Sequence, residues 1–243
     1  MQTRPSGPGG SRAVVHVGIH KTGSTAFQDY LARWREELLR DHGILVHPGC
    51  FYHSHVELSA LVIRPALFTP GRWLIQSRGF PATEEQMRAV IRHSVESEAP
   101  VVVFSIEELC YLRTDAEIET LKTLLAPRRI QPVVVLRRPA DYLRSYSQTL
   151  ERIGFVRAAR QVEPPSSMTA WYTQPDSWLV DYAALVRALE RLGDGVPPAV
   201  VDYDAAVGRD GSIVPALLGT LGLGSESHYP GWDERANLTP PSP

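Results

Sequence analysis

The chain has 243 residues, 43% of them hydrophobic and 21% charged, enough to bury the core of one α/β domain. A formal charge of −2 lacks the basic excess of general nucleic-acid and membrane-surface binders, so neither partner is expected and any anion site has to be local. Two cysteines, Cys50 and Cys110, cannot make a disulfide scaffold, the Gly/Pro-rich start has no apolar leader, and no run approaches the ~20 apolar residues of a membrane span. A soluble, cytoplasmic protein is expected, with residues 1–11 flexible and 12–243 forming one domain.

Residues 13–17 form an apolar, β-branched run that ends at Gly18, and a helical pattern starts near Ser24. Phe27, Tyr30, Leu31, Trp34 and Leu38 share one face of that helix, which Asp41-His42-Gly43 stops, and 44–46 reads as a second strand. Residues 47–82 look irregular, with a short helix near 57–61, and are expected to shape an acceptor pocket. Thr83 with Gln86 forms a capping box for a helix carrying Met87, Val90, Ile91 and Val95 on one face.

The run 101–104 is a buried strand that ends in Ser105-Ile106-Glu107-Glu108, and Thr114 with Glu117 caps a helix reaching about 125. Residues 132–136 give the next strand, followed by Arg137-Arg138-Pro139 and a helix whose inward side is Tyr142, Leu143, Tyr146, Leu150 and Ile153. Residues 154–178 read as a polar lid or substrate segment. A helix at 179–192, a strand at 198–203 and a helix at 212–221 complete the order. Strands separated by helices predict an α/β, three-layer, P-loop-like fold, its mainly parallel sheet flanked by helices and its ligands at the carboxyl ends of the strands.

Of the 25 basic residues only Lys21 and Lys122 are lysines, which draws attention to Lys21 inside a glycine-rich turn. Residues 18–25 place backbone N–H groups at a helix start, where the dipole and the spare donors attract an anion. Lysine precedes the second glycine, unlike the nucleotide loop G-x-x-x-x-G-K-[ST]. Lys21-Thr22-Gly23-Ser24-Thr25 instead resembles the 5′-phosphosulfate loop of the sulfotransferases, K-[ST]-G-[ST]-T after a strand, and is similar to the bacterial subgroup with a His-Lys-Thr-Gly loop. Arg137, Pro139, Asp141 and Ser145 resemble that family's second pattern, R-x-P-x-D-x-x-x-S, which holds the 3′-phosphate of the donor.

The resemblance covers roughly residues 13–150 and implies sulfuryl transfer from 3′-phosphoadenosine 5′-phosphosulfate to a hydroxyl or amine of a small-molecule or carbohydrate acceptor, with no metal. It implies donor contacts from Lys21, Thr22, Gly23, Ser24, Thr25, Arg137 and Ser145, with Lys21 also stabilising the leaving phosphate. Relatives place a catalytic His or Glu at a strand end like that of Glu107, so Glu107 is the expected base and Glu108 a helix-start or surface carboxylate. His20, beside Lys21, is a second proton-transfer candidate. Arg138, Asp141 and Arg144 read as solvated or paired charges, Arg235-Ala236-Asn237 as a cover for the adenine, and Cys50, His53 and His55 as acceptor-pocket residues rather than a zinc site.

Two other readings stay open. A P-loop kinase or nucleotide hydrolase would use the same cradle with ATP and magnesium, although Ser105 stands where a metal-binding aspartate is expected. A non-catalytic nucleotide-binding module would need neither base nor acceptor.

Overall fold

Strand β1 (Arg12–Gly18) is apolar on both sides because it is covered on both: Val14 faces one buried cluster, and Ala13, Val15 and Val17 face the other. In the computed structural model, which describes residues 10–51, 53–79, 82–155 and 178–233, β1 is the middle strand of five. The others are β2 (Ile44–Val46), β3 (Val101–Ser105), β4 (Arg129–Leu136) and β5 (Ala199–Asp202). Their order is β2-β3-β1-β4-β5, and every pairing is parallel.

Ten α-helices flank the sheet among the described residues: α1 (Ser24–Arg33), α2 (Arg35–His42), α3 (Val56–Val62), α4 (Pro70–Arg78), α5 (Glu84–Val95), α6 (Asp115–Leu125), α7 (Pro139–Arg152), α8 (Tyr182–Leu192), α9 (Tyr203–Asp210) and α10 (Val214–Thr220). Phe27, Leu31, Leu38, Ala206 and Leu217 bring α1, α2, α9 and α10 onto the face of Val14, Val103 and Val133. Leu58, Ile91, Leu121, Tyr142 and Leu185 bring α3, α5, α6, α7 and α8 onto the face of Val15, Phe104 and Val134. This is the three-layer α/β architecture that the strand–helix alternation predicts.

Register decides what meets at the rim. His16 lies opposite Ser105 of β3, and Gly18 lies opposite Val135 of β4. Glu107 and Arg137, each two residues beyond those partners, therefore leave the sheet beside the end of β1. After β1 the chain runs to the β2–β3 side and after β4 to the β5 side, so the ends of β1 and β4 bound a switch-point crevice.

Both capping boxes form as predicted, at Thr83 with Gln86 and at Thr114 with Glu117. Three elements differ. The first helix breaks at Trp34, which closes α1 and opens α2; its indole donates to the Pro230 carbonyl at 3.0 Å and stacks on Tyr229, drawing it off the helical path. Helix α4 falls where irregular chain was expected, its start fixed by the Thr69 hydroxyl accepting from Arg72 N and by Pro70 in the first turn. Helix α9 begins directly after β5, capped by the Asp202 carboxylate on Ala205 N. Residues 1–9, most of the expected lid at 156–177 and Arg235-Ala236-Asn237 lie outside the described residues.

Glu108 corrects one expectation. It does start a short 3-10 turn, Glu107–Tyr111, but it is buried rather than on the surface. Its carboxyl takes the Gly71 N–H at 2.6 Å and the Thr69 hydroxyl at 3.1 Å, and Ser59 Oγ stands 3.2 Å away, which ties α3 and α4 to the end of β3. Glu108→Ala leaves those donors without an acceptor in a dry site and is expected to cost about 1–3 kcal/mol. Urea unfolding should show a lower midpoint at an unchanged slope.

Candidate active site

The turn after β1 holds two left-handed residues, Lys21 at φ 67° and Gly23 at φ 76°. Lysine in that region costs about 1–2 kcal/mol, so something has to hold the turn. Two bonds do: Thr22 Oγ1 donates to the Ile19 carbonyl at 2.6 Å, and the Arg137 guanidinium donates to the Lys21 carbonyl at 3.1 Å. Gly23 precedes α1 as its cap without any side-chain acceptor, so the N–H groups of residues 24–26 have no partner inside the helix. At Gly18 a Cβ would stand 2.4 Å from Ser24 Oγ, so a side chain there would force that hydroxyl to move.

A cavity of about 370 Å³ opens over this turn. It is lined by His20, Lys21, Gly23, Ser24, Thr25, Glu107, Arg137 and Ser145, which gathers eight of the nine site residues expected from sequence. Thr22 is the exception: it is fully buried, and its hydroxyl is spent on closing the turn. Ala26, Thr149, Arg152 and Tyr203 also line the cavity and were not expected. Thr149 and Arg152 were findable, since they repeat the face of Ser145 at helical spacing, and Tyr203 follows the end of β5, where an α/β sheet puts its ligand contacts.

Charge is unevenly placed. Lys21 is held below the usual lysine range, first by burial and then by Arg152, while Glu107 opposes the shift. Burial pushes the Glu107 carboxyl up to about 7 against the pull of Ser24 and Lys21, and the neighbouring Glu108 raises it further. Ser24 Oγ stands close enough to favour the Glu107 anion but makes no well-formed hydrogen bond among the described residues. His20 lies against Tyr111 and Tyr146 and is lowered to about 3, first by burial and then by Lys21. At neutral pH it is an uncharged ring, so Glu107 is the better placed of the two to take a proton.

Arg137 stacks over Tyr203 at 4.9 Å, and its carbonyl accepts from the Tyr182 hydroxyl at 2.7 Å. Arg138 pairs with Asp141 at 2.9 Å and Asp204 at 3.2 Å, and Arg144 lies 3.7 Å from Asp141, a surface ion network outside the cavity. His55 Nδ1 accepts the Ser105 N–H and His53 pairs with Asp29, so neither ring faces the cavity with Cys50 as an acceptor contact. No group of three or more His, Cys, Asp or Glu side chains is placed to share a metal ion among the described residues. No described helix is long and apolar enough to cross a membrane.

The fold and its loop define a three-layer α/β protein with a P-loop-like turn after the central strand. No protein-family model matches the chain, and no curated protein does. Among solved structures, a sulfotransferase from Alicyclobacillus acidocaldarius is similar over 93% of this chain and 86% of its own, at 19% identity and a TM-score of 0.54, a likeness of fold. A shikimate kinase from Bacteroides thetaiotaomicron aligns over 87% of this chain and 99% of its own at 13% identity, with a TM-score of only 0.34.

Gly23→Ala tests the turn. Its Cβ would stand 2.8 Å from Ile213 Cγ2 at a backbone angle that disfavours alanine. The expected loss is about 1–3 kcal/mol, some 2–9 °C in melting temperature. Gly208→Ala, in open space on α9, should lower it by less than 1 °C or raise it.

Proposed function

We propose that the chain is a sulfotransferase that moves a sulfuryl group from 3′-phosphoadenosine 5′-phosphosulfate to a hydroxyl or amine of a small-molecule or carbohydrate acceptor. One observation carries the reading: the lysine of the glycine turn and the arginine after β4 are hydrogen-bonded to each other and share a cavity with Ser145 and Glu107. Two anion grips joined in this way suit one ligand with two separated phosphates. The cavity volume falls within the range of about 300–1,000 Å³ typical of small-molecule sites.

In this reading the N–H groups of residues 24–26 and the Lys21 ammonium hold the 5′-phosphosulfate, and Arg137 with Ser145 holds the 3′-phosphate. The acceptor oxygen forms its bond to sulfur as the bond from sulfur to the bridging phosphate oxygen breaks. Glu107 takes the acceptor proton, and Lys21 stabilises the charge left on the phosphate. The resemblance of the two motifs and the sulfotransferase fold likeness support this assignment over a kinase. So does Ser105, whose hydroxyl is tied to His16 at 2.8 Å and which supplies no carboxylate for magnesium.

Thermal denaturation separates the readings. Adenosine 3′,5′-bisphosphate is expected to raise the melting temperature more than adenosine 5′-phosphate, and more than ATP with magnesium. Arg137→Ala should erase the advantage of the 3′-phosphate, and Lys21→Ala should abolish transfer. Stabilisation by ATP with magnesium alone would reject the sulfotransferase assignment.

Activity should also follow Glu107. Its carboxyl is shifted upward to about 7 and must be ionised to accept a proton, so turnover should climb as pH rises through about 7 and fall below it. Glu107→Gln is expected to remove that limb and lower kcat by about 10²–10⁴-fold. An unchanged limb in Glu107→Gln would assign the base to another group.

A further inference from the structure

Helix α7 sends three polar side chains into the cavity, Ser145, Thr149 and Arg152, spaced four and three residues apart on one face. The rise of the helix sets the Arg152 backbone roughly 10 Å along the axis from that of Ser145. In the proposed function Ser145 serves the 3′-phosphate with Arg137, and Lys21 with the turn serves the 5′-phosphosulfate. Arg152 is left over.

Its position rather than its lack of a partner sets it apart, since Arg92, Arg129 and Arg187 also pair with nothing among the described residues but none of them lines the cavity. Arg138 and Arg144 are paired with Asp141, Arg64 with Glu117, Arg191 with Asp115 and Arg209 with Asp210. Arg152 has no ion pair or hydrogen bond among the described residues; it stands exposed at the cavity and close enough to Lys21 to weaken that ammonium more than Arg137 does. A cation in the last turn of a helix is favoured by the dipole, but that does not require it to face a second cation across a cavity. The described lining of the cavity is mostly polar or charged, which offers little to an apolar acceptor.

We infer that Arg152 is a specificity-determining seat for a negative charge on the acceptor, a carboxylate or a phosphate or sulfate ester, and that it orients the acceptor nucleophile toward Glu107. The inference rests on the sulfotransferase reading. A guanidinium suits such a group because it offers two parallel N–H donors, whereas the Thr149 hydroxyl one turn away is spent on the Ser145 carbonyl at 3.1 Å. Arg152 touches substrate rather than reacting atoms, so its removal acts on acceptor choice and leaves the donor grips intact.

The test uses the full chain saturated with adenosine 3′,5′-bisphosphate, a first titration that reports on the donor site alone. Failure of that nucleotide to bind sinks the sulfotransferase reading and this inference with it. The loaded protein is then titrated with phenols differing in charge: 3-(4-hydroxyphenyl)propionate, (4-hydroxybenzyl)phosphonate, 4-propylphenol and tyramine, followed by ligand-observed NMR. At least one anionic phenol should bind about tenfold or more tighter than the neutral one, as expected for a charge-assisted pair, and which one does so tells carboxylate from phosphate chemistry. Arg152→Ala and Arg152→Gln should both lose that preference while keeping nucleotide affinity, and Arg152→Glu should favour tyramine. Equal or undetectable binding of all four phenols, a preference that survives both substitutions, or a loss of nucleotide affinity matching that of Arg137→Ala would overturn the inference.

Discussion

The parallel pairing of β1 with β3 on one side and β4 on the other is the constraint on which the rest depends. It uses the hydrogen-bonding capacity of β1 on both edges, and both of its faces are buried, so the strand has no freedom to slip relative to its neighbours. Three chain segments that are far apart in sequence therefore leave the sheet at one level: the Lys21 turn, the Glu107 turn and Arg137. The cavity opens there because the pairing brings those ends together.

Within that frame the turn is kept in an expensive shape. Lys21 and Gly23 both hold left-handed backbone, and the bonds that fix them come from below, through Thr22, and from across the crevice, through Arg137. Donors held in place before a ligand arrives need no rearrangement when charge appears, which is where an active site gains most of its electrostatic advantage. Beneath the turn, His16 is lowered to about 3 by burial and bonded to Ser105, which also accepts from Gln28. An uncharged ring supports the loop without adding a second cation beneath Lys21.

Much of this was legible in the sequence. The strand–helix order and both capping boxes are local patterns, and eight of the nine residues expected at a site line one cavity. What escaped depends on contacts distant in the chain. Trp34 fits a helical stripe, and the helix breaks where its side chain docks on Pro230 and Tyr229. Thr22 fits the motif, yet its hydroxyl turns inward because the turn needs closing. The Thr69-Pro70 start of α4 and the Asp202 cap of α9 were available as local signals, but the aromatic and proline content around the first, and the strand just before the second, masked them.

The pair Glu107 and Glu108 shows how one short turn can give two identical side chains opposite work. A 3-10 turn separates successive residues by about a third of a revolution, so when one carboxyl faces the cavity its neighbour must face elsewhere. Glu108 meets the donors of α3 and α4 and is anchored there, which fixes the turn and so the direction of Glu107. Two carboxyls this close also repel when both are charged, and Glu108 adds to the rise of Glu107 beyond what burial causes. The group that clamps residues 56–78 to the sheet thus also adds a little to the acidity shift of the group that faces the cavity.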